Sequence, residues 1–491
     1  MIKYSFVKLF STLSKDEIKK FDKFINSPFF NKSRKIIPVY TNIKKNVFNS
    51  TIDKLTKEEL WKISEIKGKY NESTIKDILL DLSNLLKKFL SVENHLNDTK
   101  SFGKNLLKEY IKRGLSKEFE KEFKILENSF NNTENLQMDN FYDSYDINTL
   151  KTNFMLRYSS LLSKNKARIA IDIWKNSNIS LLMFYLIDLI VVSGNIKGLS
   201  EDRALEYKDN ILFEVKKSLD IKKIFNLIKH DNSKSFLTEI YVLLNDAFED
   251  MKDLQKYFAF KEAVFKNSYR LSGFEIVYFV ISMINYCTDG IRAGIHGINF
   301  QEEMFDVFEN TLENKYYIKQ NSRKFDFNFF YIMIINSLKL KKYERTKALI
   351  ERHYKELPEK YRQTFYMLAY SNLFYETGDY DKALNSLNEV ALINDFIKSE
   401  VRKLTLKIYY ERGHYENILY ALENYRKFLK KSSINTGSKD RLLDFIKYLR
   451  ELTHIKLKGY CNTDKDELIH KIKKCQRNTN TEWLLEKAEE L

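Results

Sequence analysis

YETGDYDKALNSL, residues 375–387, reads as the end of one amphipathic helix, a turn at Gly378 and the start of a second helix. Two related segments flank it, LKLKKYERTKAL at 338–349 and YERGHYENILYAL at 410–422. Their anchor tyrosines, Tyr343, Tyr380 and Tyr415, recur at intervals of 35–37 residues. That interval accommodates two helices and two short connections, so three helix pairs are expected across 325–431.

The remaining sequence agrees with a helical reading. Only 3 prolines and 13 glycines occur in 491 residues, and a β-protein of this size needs far more turn residues. Hydrophobic residues make up 43% of the chain and charged residues 31%, enough for packed cores in more than one domain. The 3 cysteines, Cys287, Cys461 and Cys475, form no C-x-x-C pair, which is cytosolic usage. The N-terminus lacks a secretory h-region. The most apolar runs, 179–192 and 274–287, are shorter than the roughly 20 residues that span a bilayer and read as core helices. A cytoplasmic protein without membrane contact is expected.

Four segments follow from the pattern. Residues 1–97 read as an N-terminal helical unit. Capping-box pairs Ser14/Glu17 and Thr56/Glu59 open two of its helices, and Pro28 in SPFFN stops the first. Ile75, Ile78, Leu79, Leu82, Leu85, Leu86, Phe89 and Leu90 line one helical face. Residues 98–324 read as an irregular array of helical hairpins, with a linker at 131–140 and helices over 141–164, 178–194, 205–229, 235–251, 253–268 and 272–292. The glycine-bearing stretch at 287–299 reads as an inter-helix connection. Residues 325–431 hold the repeats, and 432–491 read as capping helices ending in the acidic TEWLLEKAEEL.

The repeat segment resembles the tetratricopeptide repeat. Gly378 stands at the turn, Tyr380 follows it, and Ser371 and Ala383 take the small-residue positions of helices A and B. Ile334, Leu406, Thr346 and Ile418 depart from those small positions in the outer pairs, while Pro358 falls at the helix-ending place. The fold class expected is therefore all-α, an N-terminal helical unit followed by an α-solenoid of helical hairpins. The whole chain also resembles a group of bacterial proteins with an SPFFN-type head and a helical-repeat tail, a resemblance that implies no activity.

No phosphate-binding loop, dinucleotide fingerprint, H-E-x-x-H or nucleophile elbow occurs, and the 7 histidines are scattered. Cys461, His470 and Cys475 match no zinc spacing. No enzyme, cofactor or metal is expected, and protein–protein interaction is the expected function. The resemblance places groove positions at Asn328, Tyr331, Ile335 and Leu338, then Phe365, Leu368, Asn372 and Tyr375, then Glu400, Lys403, Lys407 and Tyr410. The partner-binding candidates are Asn372, Tyr375, Lys403, Lys407 and Tyr410, whose amide, basic and aromatic groups suit an acidic extended peptide. The family's carboxylate clamp is not expected, because Tyr331, Ile335, Ala369, Glu400 and Leu404 stand at its positions.

The alternative is nucleic-acid association. Of the net +16, residues 1–130 carry +10 (27 Lys/Arg against 17 Asp/Glu) and residues 425–477 carry +9 (15 against 6). Against it, a helix-turn-helix at 57–90 would have too long a turn and acidic residues, Glu72 and Asp77, at its second helix.

Overall fold

A computed structural model of the chain describes residues 5–49, 56–64, 69–131, 136–157, 163–203, 205, 210–231, 235–318, 325–458, 462–474 and 480–491. The protein is all-α. These residues form 24 α-helices, and the β contact found among them is a single bridge between Leu136 and Leu271. The chain divides into two compact units, Met1–Ser129 and Phe130–Leu491.

The first unit comprises α1 (Ser5–Phe10), α2 (Lys15–Ile25), α3 (Ile36–Phe48), α4 (Lys57–Ile63), α5 (Glu72–Asn97), α6 (Thr99–Arg113) and α7 (Ser116–Asn131), whose last turn reaches the boundary. Both capping boxes form, with Ser14 and Thr56 each exchanging hydrogen bonds with the glutamate three residues on. The apolar stripe of α5 buries Ile75, Leu82 and Leu86 against α1, α2, α3 and α4, making α5 the axis of this core. The unit continues past the boundary drawn at residue 97. Asp98 ends α5 and caps α6 by accepting from the Lys100 and Ser101 amides, leaving no room for a linker. Gly103 then lets α6 approach Leu126 of α7, where a Cβ would stand 2.7 Å from a leucine methyl.

The second unit begins with α8 (Asp139–Arg157), α9 (Lys164–Arg203), α10 (Ile211–Ser218), α11 (Ile221–Ile228), α12 (Ser235–Glu249) and α13 (Leu254–Lys266). It continues with α14 (Gly273–Arg292), α15 (Phe300–Glu313), α16 (Phe327–Lys339), α17 (Tyr343–His353), α18 (Glu359–Glu376) and α19 (Tyr380–Asn388). Last come α20 (Asp395–Glu411), α21 (Tyr415–Lys431), α22 (Thr436–Lys458), α23 (Asn462–Lys474) and α24 (Thr481–Glu489). From α12 onward each helix packs on the next. In addition α16 touches α18, and α18 touches α20, so these three lie side by side.

Two expected helices are corrected. The one read at 178–194 is the middle of α9, a single helix of 40 residues. The longest apolar run marked the stretch that buries Met183, Leu186, Ile187 and Ile190; the N-terminal flank carries Ile169, Ile171 and Trp174, largely exposed and without helical apolar spacing, so the helix continues there without a periodic signal. Among the described residues α9 is the helix long and apolar enough to cross a bilayer by length and composition. It packs on α8, α10, α11 and α12, and also on α22 near the other end of the unit. The helix read at 205–229 is two, α10 and α11. Asp220 separates them by capping α11, its carboxylate accepting from the Lys223 amide at 2.9 Å.

The three repeat turns share one backbone geometry. At each, a residue in the left-handed region follows the helix: Lys341 (φ 56°), Gly378 (φ 80°) and Gly413 (φ 72°). The amide of each returns to the carbonyl three residues back (Leu338, Tyr375, Tyr410), and the next amide returns five back (Ser337, Phe374, Tyr409). This paired closure satisfies helix-end carbonyls at every turn. Ser371 and Ala383 are both fully buried where α18 meets α19. Of the stretch read as a connection at 287–299, only 293–299 is one: 287–292 are the last turns of α14, where Gly290 sits against the Phe300 ring.

Candidate partner-binding site

The α16, α18 and α20 surfaces bring the sequence candidates together, but in two different states. Tyr331, Leu338, Phe365 and Leu368 are buried and pack the three helices against one another, so they are not groove contacts. An aromatic or leucine at these spacings serves helix packing first, because burying it stabilises by about 1.5–3 kcal/mol. Tyr375 (8% exposed) and Tyr410 (4%) are also buried, out of direct reach of a partner. Asn372, Lys403 and Lys407 remain partly accessible.

A polar network joins the helices across this surface. The Tyr331 hydroxyl on α16 donates to Glu400 Oε2 on α20 at 2.7 Å. Lys403 Nζ reaches both oxygens of the same carboxylate at 2.7 Å. Asn372 on α18 lies beside the Tyr331 phenol and donates its own Nδ2 to the Leu368 carbonyl. Lys403 and Glu400 thus satisfy each other within the chain.

Lys407 is different. It makes no ion pair among the described residues. Its ammonium stands 5.9 Å from the Tyr375 ring and 5.0 Å from the Trp483 ring, a two-sided aromatic setting. Burial, reinforced by the neighbouring Lys403 and Lys339 charges, pushes it down to about 8. Glu376 on α18 is pushed above the usual carboxylate range, chiefly by burial, though its side chain reaches solvent.

Helix α24 borders this surface, with Trp483 beside Lys407. Leu484 and Ala488 are buried against the last helices. Trp483 Nε1 donates to Glu411 Oε1 at 3.0 Å, and Lys487 Nζ lies 3.2 Å from Glu411 Oε2. The Tyr375 hydroxyl donates to the same Glu411 at 3.2 Å. The Tyr410 ring meets Tyr415 and Trp483, while its hydroxyl is buried without a hydrogen-bond partner among the described residues. The sequence reading did not place Glu376, Glu411, Trp483 or Lys487 in the site. Trp483 and Glu411 are 72 residues apart in the chain, and no local pattern links them.

Among the described residues no three His, Cys, Asp or Glu side chains gather as a metal would require. Cys461 and Cys475 lie outside the described residues, and His470 is exposed. No protein-family model, curated protein or solved structure matches this chain.

Proposed function

We propose that this chain is a non-catalytic cytoplasmic scaffold, whose α16–α18–α20 face binds an acidic, extended segment of a partner protein. The observation that carries the reading is the desolvated Lys407 ammonium beside the Tyr375 and Trp483 rings, which feels the charges of Glu376 and Glu400 but forms an ion pair with neither. A lysine kept charged at a desolvated position costs stability, and an incoming carboxylate removes that cost. Asn372 and Lys403 beside it supply further polar contacts for a peptide backbone or side chain. The three matching turns and the burial of the small residues Ser371 and Ala383 support a tetratricopeptide-like array as the frame.

The test is affinity capture from native lysate with and without nuclease, followed by mass spectrometry. A partner set that survives nuclease and is lost with Lys407→Glu supports the reading. A set that is unchanged by Lys407→Glu refutes it. A set that collapses with nuclease moves the alternative, nucleic-acid association through the basic ends, to first place.

A further inference from the structure

The turn between α2 and α3 exposes a phenylalanine on a rigid support. Ser27–Phe30 is a β-turn, closed by the Phe30 amide on the Ser27 carbonyl at 3.2 Å, with Pro28 and Phe29 at its tip. Phe30 points inward and stacks on Phe24 of the core at 3.9 Å. Asn31 fastens the other side: its amide bonds the Ser27 carbonyl at 2.9 Å, its Nδ2 the Ile25 carbonyl at 2.7 Å, and its Oδ1 accepts from the Ser33 amide at 2.9 Å. Phe29 itself is 82% exposed, the most exposed of the protein's large hydrophobic side chains among the described residues.

The sequence on either side of this tip carries one sign of charge. The sequence has no Asp or Glu between Asp22 and Asp53, and six Lys or Arg in that interval. Lys23, Lys32, Arg34 and Lys35 are exposed and form no ion pair among the described residues. Such a tip suits a planar anionic surface, where a ring enters the boundary layer and cations meet phosphates. A single-stranded nucleic acid calls for successive stacking rings along a track, and here the adjacent ring, Phe30, is turned into the core.

We propose that the Ser27–Lys35 turn is a peripheral membrane contact, with Phe29 entering an anionic bilayer and Lys23, Lys32, Arg34 and Lys35 binding lipid phosphates. Such a contact needs no spanning segment. Two weak signals combine, apolar insertion and electrostatic attraction, as stable peripheral attachment requires.

The test is sedimentation of the nuclease-treated full chain with vesicles of phosphatidylcholine plus phosphatidylglycerol, against phosphatidylcholine alone. Binding to the anionic vesicles only is expected, weakening about tenfold with Phe29→Ala. The pair Lys32→Glu and Arg34→Glu is expected to abolish it, with melting unchanged in both variants because these side chains are exposed. The proposal is overturned by absence of binding, by equal binding to the neutral vesicles, or by binding that Phe29→Ala leaves intact. Tighter binding of a single-stranded oligonucleotide with the same residue dependence would also overturn it, giving the patch to nucleic acid.

Discussion

Replacing Lys407 with methionine should stabilise the second unit at neutral pH. Methionine keeps the length and the ring contacts with Tyr375 and Trp483 while removing the desolvated charge. The ammonium falls from 10.5 to about 8 on folding. At about 1.4 kcal/mol per pH unit, the charged form costs the folded state about 3 kcal/mol. Because the folded value lies below the unfolded one, this cost is complete below pH 8 and is relieved between pH 8 and 10.5. Wild-type stability therefore gains on the variant across that window. Urea unfolding followed by circular dichroism at pH 7 and pH 10 reads the difference directly. The reasoning fails if Lys407→Met is neutral or destabilising at pH 7, or if its advantage is the same at both pH values. A stabilised variant that no longer captures the partner would show stability given up for binding.

Other outcomes follow from single contacts. Tyr410→Phe removes a buried hydroxyl that has no partner among the described residues and should raise stability by about 1 kcal/mol in the same urea assay. Tyr331→Phe removes the bond to Glu400 and should lower stability by about 1 kcal/mol. Lys341→Gly relieves a side chain in the left-handed region and should add about 1 kcal/mol, whereas Gly378→Ala should cost a similar amount. Burial pushes the Cys287 thiol up to about 12, so iodoacetamide should leave it unmodified in the native protein and alkylate it after denaturation, as read by peptide mass spectrometry.

What the sequence made legible was local. The capping boxes at Ser14 and Thr56, the stripe along α5 and the three turns around Tyr343, Tyr380 and Tyr415 all depend on residues a few positions apart. What it hid was set by distance. The full length of α9 was obscured because its ends have no apolar period, and α10 and α11 were fused because a single capping aspartate divides them. In the site, the tetratricopeptide resemblance offers positions on α16 and α18 but not which neighbour each one meets. Phe365 and Leu368 therefore looked available and are enclosed. The bond partner of Glu400, Tyr331, lies 69 residues earlier in the chain, beyond the reach of a local pattern.

The contact between α9 and α22 gives the second unit a property that a row of nearest neighbours lacks. In a linear array the end pairs can fray alone, and pairs can be added or lost with little effect on distant ones. Here an early helix is answerable to a late one. Inserting or deleting one pair between them would shift α22 off α9, so the number of pairs is held constant by geometry rather than left free to drift.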